Sequence, residues 1–304
     1  MMYDQRNFGP DYLGIGPWNT GTTWFNYQFQ NHPSFARLPF KELHYLDGIN
    51  QALPLKPNNG YWKRRALIHK RRRSPFQREL WHCMCNVNLA WLYFYYFAAP
   101  STKRYRIFFP KKTGVVTGEF SPEAIFYKQD LIQQIYQFYP SLKLIIGLRN
   151  PLERDLSSLN RNLTFHGYNP KNPQDFYDIE RLYEQLEKKN TYFYNYLPNW
   201  LLVFPFEQFF FYDFQEIRRN PQQLLKKACD FLNVPYVKNH EVENQILNSS
   251  SSVHNIPREI KKKLANKHYK HIEEFIEADY LPNGEPIFRE WLESLKNTIQ
   301  NNEA

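Results

Sequence analysis

The sequence predicts one α/β domain, with a central parallel β-sheet flanked by helices. Three observations carry that expectation. Short apolar runs alternate with segments of helical length, the βαβ order that builds a parallel sheet. Residues 142–148 are a nearly continuous aliphatic run, as a strand buried on both faces requires. The 304 residues hold no internal repeat and no splitting linker, and are enough for one large core.

Taken in order, residues 12–16 are a short apolar run ending in glycine and read as the first strand. A helix follows over 22–31, stopped by His32-Pro33, and a second strand over 113–119. Ser121-Pro122 resembles an N-cap with proline at the first helical position, opening a helix to about 138. After the strand at 142–148, 151–162 reads as helix and 178–196 as an amphipathic helix, with a further strand at 200–206. Helices close the chain at 221–232, 257–276 and 287–295. The domain is expected to span 8–298, with 299–304 a disordered tail.

Composition narrows the function. The formal net charge of +9 favours an anionic partner: nucleotide phosphates, sulfated or acidic glycans, nucleic acid or a membrane surface. Three cysteines cannot build a disulfide framework, and no apolar leader is visible at the start, so a reducing, cytoplasmic setting is expected. Residues 80–102 lack charge over a bilayer-spanning length. His82, Asn86 and Asn88 interrupt that stretch, and it reads as a buried helix rather than a membrane span.

Two motifs carry chemistry. Gly16-Pro17-Trp18-Asn19-Thr20-Gly21-Thr22-Thr23 joins the first strand to the first helix in a Gly-x4-Gly frame. Backbone N–H groups and a helix N-terminus can cradle an anion there. The nucleotide-kinase pattern would need lysine at Thr22, which disfavours an ATPase. Alone, the loop reads equally as a structural glycine turn. The second motif, Arg149-Asn-Pro-Leu-Glu-Arg154-Asp-Leu-Ser157, follows the aliphatic strand. Ligands bind at the carboxyl ends of parallel strands, and a guanidinium with a hydroxyl suits a phosphate. Alone, Arg149 reads rather as a strand-end arginine paired with Glu153.

Together and in this order, the two motifs resemble the sulfotransferase family that uses 3′-phosphoadenosine 5′-phosphosulfate (PAPS), in particular its bacterial and heparan-sulfate branches. That family's loop reads Gly-x-x-Lys-x-Gly-Thr-Thr, and its second element Arg-x-Pro-x-x-Arg-x-x-Ser. His32-Pro33, the segment Lys41-Glu42-Leu43-His44-Tyr45-Leu46-Asp47, Gly118-Glu119-Phe120-Ser121-Pro122, Phe206-Glu207 and Phe231-Leu232-Asn233 also resemble family segments. The resemblance implies a P-loop-like fold and sulfuryl transfer from PAPS to a hydroxyl of a carbohydrate or small metabolite, without a metal. It implies that Trp18, Thr20, Gly21, Thr22 and Thr23 hold the 5′-phosphosulfate and that Arg149 and Ser157 hold the 3′-phosphate. Glu42 would be the general base, with His44 and Asp47 beside it. Its pKa would need raising by burial.

The chain departs from the family at Asn19, where the catalytic loop lysine belongs, and at Phe120, where the glycosaminoglycan branch has a second lysine. Lys41, Lys111 or Lys112 could supply a replacement cation. A rival reading is a PAPS- or PAP-binding protein without catalysis, PAP being the desulfated product. A third is nucleic-acid binding through Lys63–Arg73 beside Trp62, although no nucleic-acid module accompanies that cluster. His82-Cys83-Met84-Cys85 lacks a second pair at zinc spacing, and His268 and His271 read as a solvated helix face.

Overall fold

The computed structural model describes residues 9–39, 41–49, 89–96, 98–109, 114–165, 179, 181, 183–184, 192–238, 256–281 and 285–300. Its strands are β1 (Tyr12–Gly14), β2 (Gly118–Phe120), β3 (Lys143–Leu148) and β4 (Phe209–Asp213). They form one sheet in the order β2-β1-β3-β4, with every neighbouring pair parallel. The helices are α1 (Thr22–Gln30), α2 (Leu89–Tyr96), α3 (Gln129–Phe138), α4 (Pro151–Phe165), α5 (Phe193–Leu201), α6 (Glu216–Arg219), α7 (Pro221–Phe231), α8 (Arg258–Glu277) and α9 (Glu285–Gln300).

Strand periodicity divides the apolar residues between the two faces. Leu13, Leu144, Ile146 and Leu148 face a large core built with Ile132 of α3, Leu159 of α4, Trp200 of α5, Leu264 of α8 and Trp291 of α9. Tyr12, Phe120, Ile145 and Tyr212 face a smaller, aromatic core with Phe25 and Phe29 of α1 and Leu224 and Ala228 of α7. The sheet is therefore covered on both sides, as an all-parallel sheet must be. The carboxyl end of β1 lies beside the middle of β3, where Gly14 pairs with Ile145, and Gly16 just beyond it lies against Gly147 near the end of β3.

Most sequence-predicted elements form, with instructive differences. The predicted second strand is shorter, Gly118–Phe120, with Val116 bridged separately to Phe35. The helix predicted from 121 breaks into a 3-10 turn, Pro122–Phe126, and then α3. Between them Tyr127 is extended and donates its hydroxyl to Asp47 Oδ1 at 2.8 Å. The strand predicted at 200–206 does not form. Trp200 ends inside α5, Leu202 is 68% exposed, and Pro205 starts a 3-10 turn through Gln208. The strand forms next, at Phe209–Asp213, so Phe206-Glu207 precede a strand rather than follow one. A proline without an N–H cannot join the ladder, and the following Phe-Phe-Phe-Tyr run can cover both faces.

His268 is a second correction: it is fully buried, not on a solvated face. Of the uncharged stretch 80–102, the described helix is the eight-residue α2. Among the described residues no helix is long and apolar enough to cross a membrane. Lys63–Arg73, Cys83, Cys85, Lys111, Lys112, the serine run 249–252 and the predicted tail beyond 300 lie outside the described residues.

Candidate functional site

The loop between β1 and α1 is held at both ends. Its entry is packed backbone to backbone: a Cβ on Gly16 would lie 2.9 Å from Gly147 N on β3. Its exit, Gly21, has φ +92°, where a side chain would be strained and would also meet Ile217. Thr20 is fully buried and donates its hydroxyl to Pro17 O at 2.7 Å, while Tyr212 donates to Thr20 O at 2.9 Å. The Thr20 hydroxyl therefore shapes the loop. Trp18 donates its indole N–H to Glu123 Oε1 at 3.0 Å and packs on Phe126.

Arg149, just past β3, reaches this loop. Its Nη1 donates to Asn19 O at 2.9 Å, and its guanidinium lies 4.2 Å from the centre of the Phe214 ring. Glu153 is 3.8 Å from Nε, beyond hydrogen-bond reach, and Nε is buried without a hydrogen-bond partner. Burial lowers the Arg149 pKa, Glu153 opposes that, and the Arg218 and Arg154 charges add to it. A buried guanidinium with an unused donor and cationic neighbours is a fitting place for a phosphate.

α4 also brings to the loop the hydroxyl of Ser158, the residue next to the predicted Ser157. Asn19 Nδ2 donates to Ser158 Oγ at 2.7 Å, and Arg161 Nη1 donates to Asn19 Oδ1 at 3.1 Å. Arg161 was not among the sequence-predicted site residues. The available signal was helical spacing, since residues 158 and 161 share a face at i, i+3.

The segment carrying Glu42 and His44 is tied to β2 by a buried carboxylate. Glu119 Oε2 accepts from Leu43 N and from Ser121 Oγ, each at 2.6 Å, and Oε1 accepts from Tyr105. Phe120 points to the opposite face, in the aromatic core against Gly14. Lys41 Nζ lies 2.5 Å from Glu42 Oε1, 3.0 Å from Thr23 Oγ1 and 3.4 Å from Thr22 Oγ1. His44, held at φ 52°, places Nδ1 2.7 Å from Asp47 Oδ2 and 3.8 Å from Glu123, and Nε2 3.3 Å from Glu42 Oε2.

This electrostatic arrangement corrects the expectation that burial raises Glu42. Burial does push its carboxyl up, but hydrogen bonds and charge from His44 and Lys41 outweigh it and hold the pKa at about 2. His44 moves the other way. Burial pulls it down, yet Asp47 and Glu42 lift it well above its ordinary value, which favours the imidazolium. Glu42, His44 and Glu123 bring three potential ligand atoms within 4.8 Å of one another. Glu119, with burial dominant over its three hydrogen bonds, is raised to about 7.

The arrangement thus joins the start of α1 to a carboxylate through one lysine. Among solved structures, a sulfotransferase from Alicyclobacillus acidocaldarius matches with a TM-score of 0.54 at 18% identity, covering 88% of this chain and 94% of that one. That likeness is one of fold. Heparan sulfate glucosamine 3-O-sulfotransferase 5 of Mus musculus is 30% identical over 132 residues, which is 40% of this chain and 36% of that protein. The chain therefore aligns with little more than a third of that relative's length. The sequence model of the sulfotransferase family matches residues 12–238, most of the chain and every strand described above, and the chain belongs to that family.

Proposed function

We propose that this protein transfers a sulfuryl group from PAPS to a hydroxyl of a carbohydrate or small metabolite. The observation that carries the reading is the meeting of the β1–α1 loop with Arg149, through the Asn19 carbonyl, at adjacent strand ends. In it, Arg149 and Ser157 would bind the 3′-phosphate, with Ser158 and Arg161 holding Asn19 beside it. Gly21, Thr22 and Thr23 at the start of α1 would face the 5′-phosphosulfate, which brings the sulfuryl group and a phosphate leaving group. Glu42 Oε1 would take the acceptor's proton as the new S–O bond forms. His44, charged and held by Asp47, orients Glu42 through Oε2. The carbohydrate acceptor is supported by the name of the mouse relative, which acts on a glucosamine hydroxyl.

The test is titration calorimetry with PAP, AMP and ATP, followed by PAP release from PAPS. PAP is expected to bind more tightly than AMP. Arg149→Ala is expected to erase most of that preference, roughly 1.5–3 kcal/mol or about 10- to 100-fold. Equal affinity of the native protein for PAP and AMP would remove the donor from the reading. Tight PAP binding with no PAP release for any acceptor would leave a nucleotide-binding protein that has lost catalysis, the reading Asn19 favours.

A further inference from the structure

Sulfuryl transfer leaves negative charge on the departing phosphate, and the loop position that would meet it with a cation holds neutral Asn19. The amide of Asn19 is already engaged at both ends, by Ser158 and Arg161. Phe120 is buried in the aromatic core. Arg149 is turned to the Asn19 carbonyl and stacked on Phe214. Among the described residues, Lys41 is the cation hydrogen-bonded to the hydroxyls of the first turn of α1. Its side chain is 19% exposed and reaches Thr22, Thr23 and the candidate base Glu42 together.

We propose that Lys41 is the cation that serves the departing phosphate in place of the missing loop lysine, and that its move from Glu42 to that phosphate frees Glu42 as the base. The inference rests on the sulfuryl-transfer reading. An ammonium has three donors, and Lys41 uses them on two neutral hydroxyls and one carboxylate. Bonds between charged partners are about twice as strong as bonds to neutral ones, so an anion at the start of α1 displaces the threonine contacts first, and the charge that grows on the departing phosphate then draws the ammonium from Glu42. As the acceptor oxygen bonds to sulfur, the bond from sulfur to the bridging phosphate oxygen breaks. Its electron pair stays on the phosphate, where the ammonium meets it, and the acceptor proton passes to Glu42. The same movement withdraws one of the two cations that hold Glu42 down, and burial then raises it. One lysine thereby couples donor binding to base strength, which a lysine at position 19 would not do.

The experiment compares native protein, Lys41→Met, Lys41→Arg and the double variant Lys41→Met/Asn19→Lys. Each is titrated with PAP and with adenosine 3′-phosphate, which lacks the 5′-phosphate, and each is assayed for PAP release from PAPS across pH. Lys41→Met is expected to keep PAP binding within about tenfold while PAP release falls about 10²- to 10³-fold, the size typical of a lost transition-state donor. Lys41→Arg is expected to retain part of the rate, and Asn19→Lys to restore at least tenfold to Lys41→Met. The acid limb of the rate profile should move to higher pH in Lys41→Met. PAP binding with an unchanged rate in Lys41→Met overturns the inference and leaves the donor reading standing. Failure of the native protein to bind PAP overturns both. If the native protein binds PAP without releasing it, affinity decides. Lys41→Met must then lose preference for PAP over adenosine 3′-phosphate, and an unchanged preference overturns the inference. If Lys41→Met does not fold, Lys41→Arg decides by the same comparison, with a wholly native rate and preference counting against it only if Lys41→Gln is also native.

Discussion

Asn19 sits at φ 66°, in the left-handed region where asparagine is among the better-tolerated side chains. The conformation turns its carbonyl to Arg149 and its amide to α4, so one residue joins the loop to both parts of the second motif. The sequence made Asn19 conspicuous as a departure from a family pattern. It could not reveal the bridge, because the contact with Ser158 depends on the rotation of a helix 139 residues away. The charge state of Glu42 was hidden for a similar reason. Its neighbour Lys41 was legible as a nearby cation, but the positive φ that turns His44 onto Glu42 and Asp47 was not. Replacement of Asn19 by alanine removes both amide hydrogen bonds, each worth about 0.5–1.5 kcal/mol. PAP affinity is expected to fall about 5- to 100-fold by calorimetry, with the helical circular dichroism unchanged. Arg161→Ala should produce a smaller loss, since it leaves the Ser158 contact.

At the level of elements, the segment 41–47 has little regular structure of its own, with a 3-10 turn at Leu46–Gly48. It is positioned by β2 through the Leu43 N–H and Glu119, and Tyr95 donates to Leu43 O at 3.1 Å. This gives a pH dependence with a definite sign. The Glu119 carboxyl has an ordinary value of 4.5 when unfolded and about 7 when folded. Below pH 4.5 both states carry the proton; between 4.5 and 7 mainly the folded state does; above 7 neither does. Stability from this group is therefore present at low pH and is lost as pH rises through 4.5–7. Two and a half units at about 1.4 kcal/mol each give roughly 3 kcal/mol. Urea unfolding at pH 5 and pH 8 should show native protein losing more stability than Glu119→Gln over that interval. The glutamine retains an acceptor for Leu43, and the Tyr105 hydroxyl can turn to accept from it. An equal loss in both proteins would remove Glu119 as the source. Helix and strand positions were legible wherever the apolar period was unambiguous, as in β3, α7 and α8. They were misread at 200–206, where an equally apolar run is interrupted by Pro205 and the pairing partner of β3 lies a few residues on. Local pattern does not encode which of two adjacent aromatic runs the sheet selects.

On the scale of the whole molecule, the face proposed to bind the donor depends on a buried polar contact far behind it. Asp155, on α4 beside the motif arginine Arg154, accepts from Arg154 Nη2 at 2.8 Å and pairs with His268 Nε2 of α8 at 3.0 Å. His268 Nδ1 meets the Tyr194 hydroxyl of α5 at 3.0 Å. Asp155 and His268 are both completely buried. Burial raises the Asp155 carboxyl, but Arg154 and His268 outweigh it and keep its pKa below the ordinary value. Burial keeps His268 below its own, despite Asp155. The lysines around His268 made that helix look solvated in sequence. The long apolar row Ile260, Leu264, Ile272 and Phe275 is what turns it inward. This network fixes α4 against α8 and α5, and α4 is the helix that presents Ser158 and Arg161 to the loop. Asp155→Ala takes one carboxylate from a buried guanidinium and a buried imidazole together. Breaking a buried pair in this way costs about 3–5 kcal/mol. At roughly 2–4 °C per kcal/mol for a chain of this size, calorimetry should show Tm falling by about 6 °C or more. His271→Ala, three residues along the same helix with a side chain 37% exposed, should shift stability by about 0.5 kcal/mol or less. The Asp155→Ala/His268→Ala double variant should lose less than the sum of the two single changes, because each alone strips the same hydrogen bond from a buried polar atom of the other. Additive losses would mean that the two residues act independently and that α4 is positioned by apolar packing alone.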